Sequence, residues 1–287
     1  MSDVRSAVRK VAVLGAGTMG NGIAQVCATA GMEVAMRDVE QAFLERGLQQ
    51  IDKSLAKLLE KGALSEESRA ATRARIRTTT DLKSAVEDAD LVVEAIPERM
   101  ELKIETFAFL GQHAPKHAIL GTNTSSLSVT EIAAASGDPA RVVGLHFFNP
   151  VPLMKLLEIV RGLGTADATI DAARAFAERI GKEPIVVKDF PGFATSRLGV
   201  ILGVEAIRML ESGVASAEDI DKAMKLGYRH PMGPLELGDL VGLDVRLAIL
   251  EHLHKELGEQ FRPPALLRQM VRAGKLGRKS GEGFYQY

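Results

Sequence analysis

Through the first two thirds of the chain, short continuous apolar runs alternate with longer segments whose apolar positions recur every three or four residues. The runs at 11–14 (VAVL), 33–38 (EVAMRD), 91–96 (LVVEAI), 118–122 (AILGT), 141–147 (RVVGLHF), 155–161 (KLLEIVR) and 184–187 (PIVV) read as buried strands. Residues 74–79 (ARIRTT) are a weaker strand of the same kind. Segments 18–30, 98–112, 128–136 and 167–180 predict helices, and 81–88 a short one. Residues 38–61 place Phe43, Leu44, Leu48, Ile51, Leu55, Leu58 and Leu59 at helical spacing. Ser65, followed by two glutamates, then opens a further helix with an N-terminal cap and acids in its first turn. These two helices make a hairpin inserted before the sheet resumes. The alternation as a whole predicts an α/β fold with a doubly wound, mostly parallel sheet.

From about residue 189 the pattern is helical only, over 193–212, 216–226, 234–241, 244–257 and 263–273. Two domains are therefore expected, 1–188 and 189–287. Segment 193–212 is apolar around most of its circumference, which puts such a helix at the centre of its domain or in a subunit interface. The 287 residues are 46% hydrophobic, enough for a sizeable core. Lysine and arginine number 36 against 37 acids, so nothing in the charge balance calls for a nucleic-acid or membrane partner. One cysteine, Cys27, excludes an internal disulfide framework and reads as a packed thiol. With no long apolar span and the first strand starting near residue 10, a cytoplasmic location is the expectation. The histidines at 113, 117, 230, 252 and 254 have no carboxylate or cysteine at metal-ligand spacing, so no metal is expected.

The chemistry begins at GAGTMG, residues 15–20. Gly15, Gly17 and Gly20 follow a strand in the spacing G-x-G-x-x-G, and Thr18 and Met19 open the next helix. The first glycine allows the tight turn, the second lets a pyrophosphate approach, and the third lets helix and strand pack closely. The helix N-terminus offers unpaired N–H groups to phosphate. Asp38 ends the second strand 18 residues after Gly20, where a carboxylate would hold an adenosine ribose. It would also repel a 2′-phosphate, so NAD is expected over NADP; Arg37 beside it could offset part of that repulsion. This is the arrangement of a Rossmann-type dinucleotide-binding domain.

Strand ends elsewhere carry polar groups in apolar surroundings: Glu94, the turn from Asn123 to Ser126, and His146 with Asn149. Parallel strands would gather them along one edge. Glu158 is a carboxylate inside an apolar strand, costly unless paired, and its nearest candidate in sequence is His146. Such a carboxylate fixes the imidazole tautomer and leaves the other nitrogen to act as a base. Residue types alone weigh that pair evenly against a hydrogen-bonded core histidine and an edge glutamate.

The run GLHFFNPVPLMKLLE at 144–158 resembles the signature of the L-3-hydroxyacyl-coenzyme A dehydrogenases. NTSSL at 123–127, VEA at 93–95, PMGPLE at 231–236 and GEGFY at 281–285 are also similar to that family, so the resemblance spans essentially the whole chain. It implies that 3-hydroxyacyl and 3-ketoacyl thioesters are interconverted, with hydride passing between C3 and NAD. His146 would take the 3-hydroxyl proton and Glu158 would steady the charged imidazole. Ser125 would hydrogen-bond the reacting oxygen, and Asn149 would help hold His146 and substrate. Glu94 and Asn123 would lie by the cofactor, and Ser54 and Lys61 on the hairpin match positions that contact coenzyme A. Ser196 stands where many members carry an asparagine that reaches toward the acyl end, so either a water fills the gap or the substrate is held differently. The apolar helical half and the resemblance together imply a homodimer. Two rivals stand beside this reading: a dehydrogenase of a free hydroxy acid such as a sugar acid on the same scaffold, and a non-catalytic dinucleotide-binding protein.

Overall fold

The structure, a computed structural model, describes residues 8–287. The chain divides into two compact units, one ending at Asp189 and one running from Phe190 to Tyr287.

The first unit is built on strands β1 (Lys10–Leu14), β2 (Glu33–Arg37), β3 (Ile76–Thr79), β4 (Leu91–Glu94), β5 (Ile119–Thr122), β6 (Val142–Phe147), β7 (Leu156–Arg161) and β8 (Glu183–Lys188). They form one sheet in the order β3-β2-β1-β4-β5-β6-β7-β8. Neighbours are parallel except at β6–β7, where the chain doubles back. The order reverses at β1, which lies between β2 and β4, so a crevice opens beyond the carboxyl ends of those strands.

Helices α1 (Thr18–Thr29), α2 (Gln41–Glu60), α3 (Glu66–Ala74), α4 (Leu82–Val86), α5 (Met100–His113), α6 (Val129–Ala135) and α7 (Asp167–Arg179) cover the sheet. The two-residue period of β1 divides its side chains between two cores. Val11 and Val13 pack with Ile23, Ile51 and Phe176 on one face; Ala12 and Leu14 pack with Val86, Phe107 and Ile132 on the other. Cys27 is fully buried in the first of these, and burial pushes its thiol up to about 12, consistent with a packing role. Helices α3 and α6 are capped by Ser65 and Ser128, whose hydroxyls accept from the N–H groups of Ser68 and Glu131.

Strand β4 stops at Glu94, two residues short of the apolar run. The Ile96 N–H donates to Glu94 Oε1 at 2.8 Å, closing a local turn before Pro97.

The second unit comprises α8 (Thr195–Glu211), α9 (Ala217–Gly227), α10 (Pro234–Val241), α11 (Leu243–Leu257) and α12 (Ala265–Arg272). Val200, Val204 and Ile207 of α8 pack with Ile220, Leu235, Leu250 and Leu267. Leu198 and Leu202 on another face of α8 stay exposed. The PMGPLE and GEGFY motifs are tied down here by two buried aspartates. Asp221 accepts from the Leu235 and Glu236 N–H groups and the Tyr285 hydroxyl, and Asp239 from the Phe284 and Tyr285 N–H groups.

Candidate functional site

The β1–α1 turn is strained in the way its glycines permit. Gly15 has φ +104°, and a Cβ there would lie 2.5 Å from the Ala95 carbonyl oxygen. A Cβ on Gly20 would lie 1.8 Å from the Gly15 carbonyl oxygen, so helix and turn meet at backbone contact. Gly17 differs: a Cβ on it would meet nothing, because that side faces a cavity of about 1140 Å³. Gly17 is also the N-cap of α1 and has no side chain to occupy the first-turn N–H groups. Open backbone donors at a helix N-terminus, bordered by space, fit a pyrophosphate.

Asp38 lines the same cavity. Its Oδ2 accepts from the Ala16 N–H at 2.7 Å and its Oδ1 from the Val39 N–H at 2.7 Å. The carboxylate is thereby fixed at the carboxyl end of β2, with lone pairs remaining for a ribose diol. Arg37 lines the cavity too, and its guanidinium donates through Nε to the Thr80 carbonyl at 3.1 Å.

At the other end of the sheet edge, β6 and β7 run antiparallel with His146 directly opposite Glu158. His146 Nδ1 lies 2.9 Å from Glu158 Oε2, and Glu158 has no solvent exposure. A carboxylate can only accept, so Nδ1 carries the proton and Nε2 of the neutral ring is the basic nitrogen. The loop after β6 carries Asn149, Pro150, Val151 and Pro152 into the cavity wall. Its far side is held by Lys182, a buried ammonium that donates to the Val151 carbonyl at 2.5 Å and the Met154 carbonyl at 2.6 Å. Burial depresses the Lys182 ammonium below its ordinary value.

Between these two centres lies a polar cluster of which the sequence reading named Glu94 and Ser125 but missed Glu98 and Lys103. Lys103 of α5 is buried and donates to Glu94 Oε1 at 2.7 Å and lies 3.3 Å from Glu98 Oε2. Glu98 Oε1 in turn accepts from the Thr124 hydroxyl at 2.6 Å, the Ser125 N–H at 2.8 Å, the Ser126 N–H at 3.2 Å and, more distantly, the Ser125 hydroxyl at 3.3 Å. Burial alone would raise the Glu98 carboxyl. The Lys103 ammonium, the Thr124 hydroxyl and the Ser125 N–H outweigh it and hold the group below the usual carboxylate range. Ser125 is thus presented by a turn wrapped around one carboxylate oxygen. The available signal was Lys103 itself, a cation in helical register with Phe107 and Leu110 on a buried face.

Several anticipated residues share the cavity: Gly15, Gly17, Thr18, Met19, Asp38, Ser54 and Asn149 all line it, and Gly20 supports the turn beneath. Glu94 does not. Its carboxylate is enclosed, with Lys103, the Ile96 N–H and the Thr122 hydroxyl on its oxygens, because an ionised acid at a buried strand end must be paired within the protein. The residues that follow it, Ala95, Ile96 and Pro97, line the cavity instead. Asn123 does not line it either; the residue is half-buried, and its Oδ1 accepts from the Phe147 N–H at 2.9 Å, tying the end of β5 to β6. Lys61 is exposed at the C-cap of α2, outside the cavity that Ser54 lines. Ser196 lies in the first turn of α8, in the second unit. Among the described residues no cluster of histidine, cysteine and acids could hold a metal ion, and no helix is long and apolar enough to cross a membrane.

A doubly wound sheet whose switch point opens on a glycine-lined phosphate cradle, with an acid poised for a ribose, defines a dinucleotide-binding oxidoreductase scaffold. Sequence comparison sharpens the class. The model of the 3-hydroxyacyl-CoA dehydrogenase NAD-binding domain matches residues 10–190, and that of the 3-hydroxyacyl-CoA dehydrogenase C-terminal domain matches 192–287. A probable 3-hydroxybutyryl-CoA dehydrogenase from Deinococcus radiodurans is 51% identical, the match covering 97% of this chain and 100% of the relative. The 3-hydroxybutyryl-CoA dehydrogenase of Clostridioides difficile is 44% identical over 97% of this chain and 99% of its own. The crystal structure of (S)-3-hydroxybutyryl-CoA dehydrogenase from Ralstonia eutropha matches with a TM-score of 0.94 at 43% identity, covering 98% of this chain and 99% of that one. The chain belongs to the 3-hydroxyacyl-CoA dehydrogenase family, and its cofactor is NAD.

Proposed function

We propose that the protein interconverts 3-hydroxyacyl-CoA and 3-ketoacyl-CoA, with His146 as the general base in oxidation and general acid in reduction. The observation that carries this reading is the 2.9 Å contact between His146 Nδ1 and the fully buried Glu158 carboxylate. With Nδ1 committed to Glu158, Nε2 takes the proton from the 3-hydroxyl as the C3–H bond breaks. The Gly15–Gly20 cradle and Asp38 would hold NAD, which when bound would supply the hydride acceptor. Glu158 then stabilises the imidazolium; in the reverse direction the same imidazolium returns the proton to the ketone oxygen. Ser125, whose hydroxyl donates to Glu98 Oε1 at 3.3 Å, turns that one hydrogen to the reacting oxygen when substrate binds, and Asn149 orients substrate beside the histidine. Ser54 and Lys61 bear on the coenzyme A portion.

Leu198 and Leu202, one turn apart on α8, are exposed apolar side chains of the helical unit, and they support pairing of two copies of the chain.

Initial rates of NADH oxidation with acetoacetyl-CoA and with free acetoacetate test the reading. Turnover of the thioester with little or none of the free acid is expected. A preference for the free acid would favour a hydroxy-acid dehydrogenase, and NADH binding without turnover of either would leave only a dinucleotide-binding protein.

A further inference from the structure

The cavity does not end at the phosphate cradle. It continues along one face of α1 through Thr18, Asn21, Gly22 and Gln25, positions three and four residues apart. Gln50 and Ser54 of α2 and Val151 and Pro152 of the loop after β6 make its other walls. At Gly22 a Cβ would lie 2.8 Å from Val151 Cβ, so loop and helix touch at that level, with Gln25 one turn further along. The cavity volume of about 1140 Å³ exceeds the roughly 300–1,000 Å³ of ordinary small-molecule sites, which leaves room for a second ligand.

Asn21 and Gln25 both present carboxamides on this face, and they differ. Asn21 is satisfied locally, its Nδ2 donating to the Gly17 carbonyl at 2.7 Å. Gln25 is 2% exposed, and among the described residues no hydrogen bond or other polar contact reaches its carboxamide. Its atoms are not sealed off either, since the enclosed and unpartnered side-chain atoms belong to Arg141 and Arg246. The solvent it retains is that of the cavity it lines. An apolar residue would be cheaper in such a place unless a ligand supplies the missing partners.

The dinucleotide phosphates are not that ligand. They are served by the N–H groups at the start of α1, and Gln25 stands seven residues on, about 10 Å along the axis. A carboxamide offers two donors and one acceptor, the complement of a secondary amide, whose N–H and C=O it can engage together. The apolar Val151 and Pro152 suit the methylenes on either side of such an amide. Resting on the function proposed above, we infer that Gln25 hydrogen-bonds an amide of the pantetheine arm of the acyl-CoA substrate.

The test compares wild type with Gln25→Met, which keeps length and helix preference but removes the amide; Gln25→Leu stands in if the methionine variant folds poorly. Substrates are acetoacetyl-CoA and acetoacetyl-pantetheine, the latter keeping both amides and lacking the nucleotide. The expected result is a KM raised roughly three- to tenfold for both thioesters. The affinity for NADH by fluorescence titration and the melting temperature should stay close to wild type. Unchanged KM values overturn the inference, as does a penalty confined to acetoacetyl-CoA, which would assign Gln25 to the nucleotide end. A matching loss of NADH affinity would assign it to the dinucleotide instead. Failure of the wild type to turn over either thioester is a different outcome: it removes the function on which the inference stands.

Discussion

A carboxylate within an apolar strand and a histidine twelve residues earlier are each costly side chains, and each becomes affordable through the other. Glu158 is fully buried and meets His146 Nδ1 across the antiparallel β6–β7 pairing. Desolvation of one such group without its partner costs about 3–5 kcal/mol, so the pair stands or falls together. Replacing the imidazole while keeping a hydrogen-bonding side chain separates chemistry from folding. His146→Gln is expected to lower kcat by about 10²–10⁴-fold, with NADH binding retained in a fluorescence titration. Near-normal turnover by that variant would take His146 out of the mechanism. The pairing itself could be suspected from residue types, but its register could not. A slip of one residue along β7 would bring Leu157 or Ile159 opposite His146 and turn the carboxylate to the other face.

At the scale of elements, the connection from β4 to α5 does more than cross the sheet edge. Glu94 closes the strand, Lys103 reaches back from the helix, and Glu98 between them gathers the Thr124–Ser126 turn. Glu98→Gln retains an acceptor but loses the charge. It should raise the KM of a ketoacyl thioester several-fold, since Ser125 is less firmly held. It should also cost about 1 kcal/mol at pH 6, below the about 1.5–3 kcal/mol of charge-assisted hydrogen bonds because 37% of the side chain is exposed and screened by solvent. The Glu98 carboxyl is held below its ordinary value of 4.5 in the folded protein. Its contribution is therefore complete above that value and is lost as pH falls through the lower, folded one. Urea melts of both proteins from pH 6 to pH 3 check the sign: the stability gap should close toward acid. A gap that widens toward acid would mean that the protonated form is the one favoured by folding. The periodicity of α5 was legible, with Phe107 and Leu110 marking its buried face; Lys103 sits on that same face. A sequence pattern reads such a lysine as an interruption, because the carboxylates that pay for it lie nine and five residues back across a turn.

For the whole molecule, each unit closes its own hydrophobic core, and the helical unit leaves Leu198 and Leu202 exposed. Size-exclusion chromatography with light scattering should return a mass near twice the 30.9 kDa of one chain. Leu198→Glu should shift it toward one chain. A wild-type monomer at micromolar concentration would refute the pairing.

Local pattern decided the elements and their order, since strand runs, helical spacing and the serine caps are encoded within a few neighbouring residues and need no distant partner. The glycine turn was legible for the same reason: φ +104° at Gly15 and the backbone contact at Gly20 are demands that only glycine meets. What tertiary structure alone decided is which polar groups face the cavity and which are spent inside the protein. Glu94 and Asp38 both end buried strands, yet one is consumed by Lys103 and Thr122 while the other borders the cavity. That difference comes from side chains brought together by strand order and helix packing, over distances no sequence window spans.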